Sequence, residues 1–257
     1  MNMNKLLQVS TFAGKIMLES GGETYRVEET ICRICSSFGA TVADSFVTPT
    51  GMMVSISHND QTYSLIKRVT SRSVDLNKVD KVNDLSRRLQ NENINIDEFN
   101  EMLKKINEGE RYSITTTLIY SALAAGSFAI LFGGNFKDLI AATIIGFFLK
   151  LLLIQFQKLS INEFFINCIG GAFTAVLTLI LFTLGIASNI DKTIIGAIML
   201  LVPGLAITNA IRDTIAGDFL AGLTKASEAF LVAVSIAVGT GAVLSFWINT
   251  LGGKMIW

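Results

Sequence analysis

Residues 164–190 read FFINCIGGAFTAVLTLILFTLGIASNI, twenty-seven positions without an Asp, Glu, Lys or Arg, bounded by Glu163 and Asp191. A helix needs about 20 mostly apolar residues to cross the hydrocarbon layer of a bilayer, so this stretch predicts a transmembrane span and decides the fold class. Working outward, Thr193–Ile211 is uncharged between Lys192 and Arg212, and Tyr112–Phe136 between Arg111 and Lys137. Leu139–Phe156 carries only Lys150, whose ammonium can snorkel from near the end of a span, and Ala229–Gly253 closes the set. The expectation is an α-helical polytopic membrane protein. Its transmembrane domain occupies residues 111–257, with five transmembrane helices at about 114–134, 138–156, 164–186, 192–211 and 226–249.

The rest of the composition agrees. Of 257 residues, 51% are hydrophobic and 16% charged, and the mean hydropathy is +0.52, too apolar for an ordinary soluble domain of this length. Residues 1–114 hold 29 of the 42 Lys, Arg, Asp and Glu side chains, so the chain divides into two regions suited to two solvents. A net charge of zero gives no basic field and argues against a nucleic-acid partner. Cys32, Cys35 and Cys168 with the single His58 supply neither a disulfide framework nor a zinc site, and no other metal or cofactor is called for. The first residues lack the pattern of a signal peptide, so the N-terminus is expected in the cytoplasm. Placing it there sets Lys104, Lys105, Arg111, Lys150, Lys158, Arg212 and Lys225 inside against Lys137, Lys192 and Lys254 outside, as the positive-inside rule favours. Trp247 and Trp257 then suit the outer interface.

Ahead of the membrane region, residues 1–110 read as a small cytoplasmic α+β domain ordered ααβββαα. Leu6, Val9, Ala13, Ile16 and Met17 repeat at helical spacing, and Gly21-Gly22 ends that helix. Val27, Ile31, Ile34, Cys35 and Phe38 form the next stripe, with Ser20 and Glu23 spaced as a capping box. Thr41–Val47, Met52–Ser57 and Thr62–Val69 are strand candidates joined by turns at Pro49-Thr50-Gly51 and Asn59-Asp60, a three-stranded meander. Two further amphipathic stripes, from Leu76 to Leu89 and from Phe99 to Ile106, complete the domain, the second opened by Asn95 and Glu98 as a capping box. Cys32 and Cys35 match CxxC but fall mid-helix on or near the apolar face, where core packing accounts for them.

Three places carry unusual chemistry. The run Glu19–Glu29 (ESGGETYRVEE) sets Glu19, Gly21, Gly22, Glu23, Arg26 and Glu28 around a helix-helix junction, where backbone amides at a helix start suit an anion. A capped corner with solvated charges is the plainer reading, as a tight turn is for Pro49 and Gly51. Pro203-Gly204 interrupts the fourth expected span, and broken membrane helices are a common way to build a substrate site. The polar run Thr208, Asn209, Arg212 and Asp213 follows, so Pro203, Gly204, Thr208, Asn209 and Arg212 are the substrate-binding candidates. Asp213, Asp218 and Glu228 are the proton-coupling candidates; a proline kink with interfacial polar residues is the alternative. Lys225 and Glu228 are spaced to pair with each other. Ala229, Ala233, Ala237 and Gly241 recur every four residues as a small-residue ridge that predicts close helix packing.

With these residues in view, the chain resembles the bacterial threonine/serine exporter family, specifically its larger N-terminal part. The resemblance is carried by Glu19–Glu29 (ESGGETYRVEE), Val47–Ser55 (VTPTGMMVS), Arg72–Arg88 (RSVDLNKVDKVNDLSRR) and Leu200–Lys225 (LLVPGLAITNAIRDTIAGDFLAGLTK), in that order over nearly the whole length. It implies a proton-motive-force-dependent exporter of small hydrophilic metabolites, threonine and serine in the founding members. A two-component branch is linked to succinate. It also implies a half-transporter in the bacterial cell membrane that works with a second small membrane subunit, with homo-oligomers open. The family's cytoplasmic region has been likened to a hydrolase, but this chain offers no nucleophile-base pair, so no catalytic residue is carried over. A membrane-anchored enzyme and a metabolite sensor are the rival classes.

Overall fold

The computed structural model describes residues 2–109, 112–159 and 161–251, which form two compact units. The first comprises Met1–Glu110 together with Gly204–Glu228, and the second Arg111–Pro203 with Ala229–Trp257. The compact unit containing the small α+β domain thus draws in a segment about a hundred residues downstream, whose first part, to Ile211, hydropathy assigns to the fourth membrane helix.

In the first unit the chain runs α1 (Met3–Glu19), α2 (Thr24–Ser37), β1 (Val42–Thr48), β2 (Gly51–His58), β3 (Gln61–Arg68), α3 (Leu76–Arg88) and α4 (Ile96–Glu108). The ααβββαα order is as the periodicity predicts. The sheet is antiparallel with order β1-β2-β3. Asn59 and Asp60 both take positive φ, 50° and 59°, the two-residue hairpin geometry that Asn and Asp tolerate. The first helix is the centre of the core: Leu6, Ala13, Ile16 and Met17 are buried against Ile31, Ile34, Met52, Ile56, Val82 and Phe99. Gly14 allows α2 this close, since a Cβ there would lie 2.5 Å from Ile31 Cδ1.

One capping expectation is revised and the Asn95 cap is as expected. Ser20 ends α1 rather than starting α2, and Glu23 occupies the N-cap of α2 without a side-chain cap bond. Asn95 caps α4 by accepting from Asp97 and Glu98 N–H.

The second unit contains α5 (Ile114–Leu131), α6 (Phe136–Lys158), α7 (Glu163–Thr183), the short α8 (Ile190–Ile198) and the later part of α10 (Phe219–Leu251). Four helices among the described residues are long and apolar enough to cross a membrane: α5, α6, α7 and α10. The expected helix at about 192–211 is not one helix. Pro203 has no amide to donate and its ring would clash with the carbonyl four residues back. Helix α8 therefore stops at Ile198, and a new helix, α9 (Gly204–Ala216), begins just past the proline. Glycine permits close packing here too, for a Cβ on Gly196 would lie 2.7 Å from Ala129 Cβ.

The N-terminus of α6 holds a residue that hydropathy passes over. Asp138 is fully buried, and its carboxylate accepts from Asn135 N–H at 2.9 Å, Ser188 and Asn189 N–H at 2.8 Å each, and Asn189 Nδ2 at 2.7 Å. Those bonds fix the turn that feeds α8, so the short helix starts from a rigid anchor.

The fifth expected span is part of the 33-residue α10. At 1.5 Å per residue this helix is about 50 Å long, well beyond the ~30 Å hydrocarbon core. Its first residues, to Glu228, belong to the first unit. The expected ridge has a different phase. Ala229 is buried as expected, but further along Val232, Ser235, Ile236 and Gly239 are buried whereas Ala233, Ala237 and Gly241 are exposed. Trp247 packs against the Ala175, Leu179, Ile190 and Ile194 cluster, and Trp257 lies outside the described residues.

Candidate functional site

The two sequence motifs singled out separately, the Glu19–Glu29 corner and the polar run after Pro203, meet in the first unit. Helix α9 carries Asn209 and Asp213 four apart on one face, and both are buried; Thr208 and Arg212 lie on the outward face. Gly217, at φ +99°, turns the chain out of α9, and Asp218 N–H donates back to Asp213 O at 2.8 Å. Gly222 then lets the first turn of α10 fold tightly against α9, since a Cβ there would sit 2.1 Å from Thr214 Oγ1. The result brings Lys225 back over Asp213.

Asp213 is fully buried and Lys225 is 6% exposed, with Lys225 Nζ 2.7 Å from Asp213 Oδ2. The rest of the carboxylate is held by the start of α2. Thr24 N–H donates to Asp213 Oδ1 at 2.9 Å and Thr24 Oγ1 to Oδ2 at 3.0 Å, while Lys225 Nζ also reaches Thr24 Oγ1 at 3.2 Å. The anion expected at this helix start is therefore one of the protein's own carboxylates, placed where the helix dipole favours negative charge.

Beside it, Glu23 takes two guanidinium groups. Arg212 donates to its Oε1 at 2.6 Å, and Arg26 Nε lies 3.0 Å from its Oε2. Burial alone would push the Glu23 carboxyl up, but hydrogen bonds from its own backbone and Arg212, with both arginine charges, hold it below the ordinary carboxylate range. The side chain of Arg212 remains 54% exposed, so a guanidinium reserved for a substrate carboxylate on sequence grounds is here paired yet still accessible. One turn earlier, Asn209 Nδ2 donates to Gly21 O at 2.8 Å and its Oδ1 is buried with no partner.

The remaining candidates lie around this pair of clusters. Glu28 accepts from Val47 N–H at 2.7 Å; burial, with the charges of Asp218 and Asp213, pushes its carboxyl up. Asp218 is also pushed up, by burial and the Asp213 charge, with Lys225 opposing. Glu228 pairs with Arg72 at 2.8 Å, not with Lys225. Glu19 sits 3.5 Å from Lys15. Gly21 takes φ +89°, and Gly22 N–H donates to Met17 O. Pro49 and Gly51 form the β1-β2 turn, where Thr48 Oγ1 bonds Gly51 O, and no hydrogen bond among the described residues joins them to the cluster. Thr208 Oγ1 bonds Gly204 O within its own helix.

Thr24 and the Lys225–Asp213 pairing were not singled out from the sequence. A threonine at a helix start reads as a cap, and its real partner is 189 positions away. No group of three or more potential metal ligands occurs among the described residues.

Comparison with known proteins identifies the family. A family model described as "Putative threonine/serine exporter" matches residues 8–247. A curated relative, the uncharacterized protein C16A10.01 of Schizosaccharomyces pombe, is 25% identical over 251 residues, 91% of this chain and 29% of that protein. The chain thus spans less than a third of the relative's length. No solved structure matches. With most of its length matched and several helices apolar enough to span a bilayer, the chain is a multi-pass membrane protein of the threonine/serine exporter family, a family of transporters rather than enzymes.

Proposed function

We propose that the chain is the larger component of a bacterial exporter that moves small hydrophilic carboxylates, amino acids of the threonine/serine type or succinate-type dicarboxylates, outward at the expense of the proton motive force. A second small membrane subunit of the same family completes it, and the N-terminus faces the cytoplasm. The observation that supports this reading is the ionic cluster of Glu23, Thr24, Arg212, Asp213 and Lys225, buried except for the half-exposed Arg212. Buried charge is costly unless paired, and α9, which supplies two of the five residues, begins immediately after the Pro203-Gly204 break.

The groups have distinct roles. Arg212, half exposed and able to form a bidentate pair, receives the substrate carboxylate by exchanging it for Glu23. Asn209, with an unused carbonyl oxygen, offers a neutral acceptor one turn away. Asp213, Asp218 and Glu228 are the carboxylates available to carry the coupling proton.

The test is efflux of threonine, serine and succinate from preloaded cells expressing the chain with and without a small partner subunit, with and without a protonophore. The expected result is protonophore-sensitive efflux that needs both chains and is lost in Arg212→Ala with the protein still in the membrane. Unchanged efflux by Arg212→Ala would remove that residue from the site. Efflux indifferent to the protonophore would remove proton coupling.

A further inference from the structure

The three-stranded sheet has two edges, and they are treated differently. A two-residue hairpin closes on a pair that exchanges both backbone hydrogen bonds, so the His58–Gln61 pair sets the alternation along β3. Gln61, Tyr63, Leu65 and Lys67 direct their backbone groups to β2, whereas Thr62, Ser64, Ile66 and Arg68 aim theirs at the free edge. The hydroxyl contacts across the intervening pairs, Ser55–Ser64 at 3.0 Å and Ser57–Thr62 at 2.9 Å, fit that phase, because side chains approach most closely in non-hydrogen-bonded pairs.

The same count along β1 turns Ala43, Ser45 and Val47 outward, and α2 covers them. Glu28 accepts from Val47 N–H at 2.7 Å and Cys32 Sγ donates to Ala43 O at 3.3 Å. Nothing comparable meets the outer edge of β3 among the described residues. An open strand edge is a template for another strand.

Both faces beside that edge are unfilled. On the inner face, α1 and β3 border a groove of about 300 Å³ lined by Gln8, Thr11, Phe12, Lys15, Leu65 and Lys67. On the outer face, Phe46, Met53 and Ile66 stand in one cross-strand row and are 50%, 50% and 75% exposed.

We propose that β3 is the pairing edge of a symmetric dimer of this chain, two β3 strands adding antiparallel about a two-fold axis at Ser64. Matching inner face to inner face requires the axis to pass through a residue. An axis at Ser64 is the register that sets Arg68 opposite the partner's Asp60, so an opposite charge pair forms at each end. Lys67 falls opposite the partner's Gln61, and no like charges meet. Ser64 pairs with the partner's Ser64 and Thr62 with the partner's Ile66, giving about six new backbone hydrogen bonds. On the inner face the partner's Tyr63 falls opposite Leu65, over the groove that Phe12 and Leu65 line. The interface is isologous and closes at two copies.

The experiment is cysteine cross-linking of the full-length chain in native membranes. Residues of a hydrogen-bonded antiparallel pair have Cα atoms about 5.5 Å apart, within disulfide reach. Mild oxidation is expected to give a covalent dimer with Ser64→Cys and none with the parent chain, which carries Cys32, Cys35 and Cys168. Thr62→Cys and Ile66→Cys should cross-link only when co-expressed. Ile66→Pro removes an amide donor that the unpaired edge does not use, and should yield a folded monomer by light scattering in detergent. The proposal is overturned if Ser64→Cys gives no dimer in protein that has reached the membrane, if Asp44→Cys, on the same face away from the edge, gives as much, or if Ile66→Pro leaves a dimer intact. Capture of a different protein by Ser64→Cys would overturn it equally and assign the edge elsewhere.

Discussion

Asp213 and Lys225 sit together with almost no access to water, and that fixes what removing either one does. Taking one partner from a buried ion pair leaves an uncompensated charge and costs about 3–5 kcal/mol, whereas replacing both with neutral groups of similar volume is often near neutral. Lys225→Met should therefore lower the unfolding free energy of the purified protein by about 3–5 kcal/mol, and Asp213→Asn with Lys225→Met should recover most of it. A double variant no better than the sum of the two single losses would show that the pair does not couple. Glu23 and Glu28 give opposite pH signatures. Glu23 is held below its ordinary value, so it contributes stability above about pH 4.5 that fades as pH falls through the lowered folded value. Glu28 is pushed above its ordinary value, so its ionisation costs stability as pH rises through the range above 4.5. Glu28→Gln, which keeps an acceptor for Val47 N–H, should match the parent chain at acid pH and melt higher near neutral pH, measured by thermal denaturation at both. The sequence already singles out the polar run Thr208, Asn209, Arg212 and Asp213 and the Glu19–Glu29 corner. That these form one site was not legible, because helical spacing reports which residues share a face and carries no information on a partner 189 positions away.

At the scale of elements, the break at Pro203 and the phase of α10 are instructive in different ways. The proline was visible, and the structural consequence follows from its missing amide; hydropathy still merged the pieces because both sides of the break are apolar. The phase of α10 was misread for a related reason. In lipid the outer face of a helix is as apolar as the packed one, so a repeat of small residues does not say which face is inside. Burial identifies Gly239 as the close-approach position: a Cβ there would lie 1.9 Å from Cys168 O, whereas Gly241 has nothing within 4 Å. Gly239→Ala should thus destabilise by about 1–3 kcal/mol or more through overpacking. Gly241→Ala should be neutral or stabilising by up to about 1 kcal/mol through helix propensity. Melting temperatures of the two variants in the same detergent check this, and equal losses would mean that Gly239 is not the contact that sets the packing of α10.

At the scale of the whole chain, the composition of the first unit constrains how the polypeptide threads the membrane. Residues before α5 and residues 204–228 belong to one compact unit, tied by the Glu23–Arg212 and Thr24–Asp213 bonds, and a charged α+β unit with an open sheet edge is excluded from lipid. Both stretches therefore lie on one side, and an even number of crossings separates them. Helices α5, α6 and α7 supply three. The fourth falls to the stretch before Pro203. Its nine-residue α8 covers about 13 Å, Met199–Val202 continue it as a hydrogen-bonded turn, and the stretch packs from Leu179 near the end of α7, beside Ile190, to Ile166 near its start, beside Leu201. The uncharged apolar stretches of the sequence predict the same number of crossings up to this point, but with the fourth as a continuous helix. A fourth crossing through this stretch would be part helix and part irregular backbone, which is tolerated at membrane depth only where protein or a water-filled cavity surrounds it. Two single cysteines test this on intact cells with a membrane-impermeant maleimide: Leu184→Cys, at the end of α7, and Ala216→Cys, at the end of α9, both exposed. Leu184→Cys should label before permeabilisation and Ala216→Cys only after it, the parent chain serving as control for its own cysteines. The reverse pattern would keep the parity and invert the orientation. Labelling of both from the same side would mean that residues 185–203 do not cross, and would leave the Pro203 break outside the permeation route.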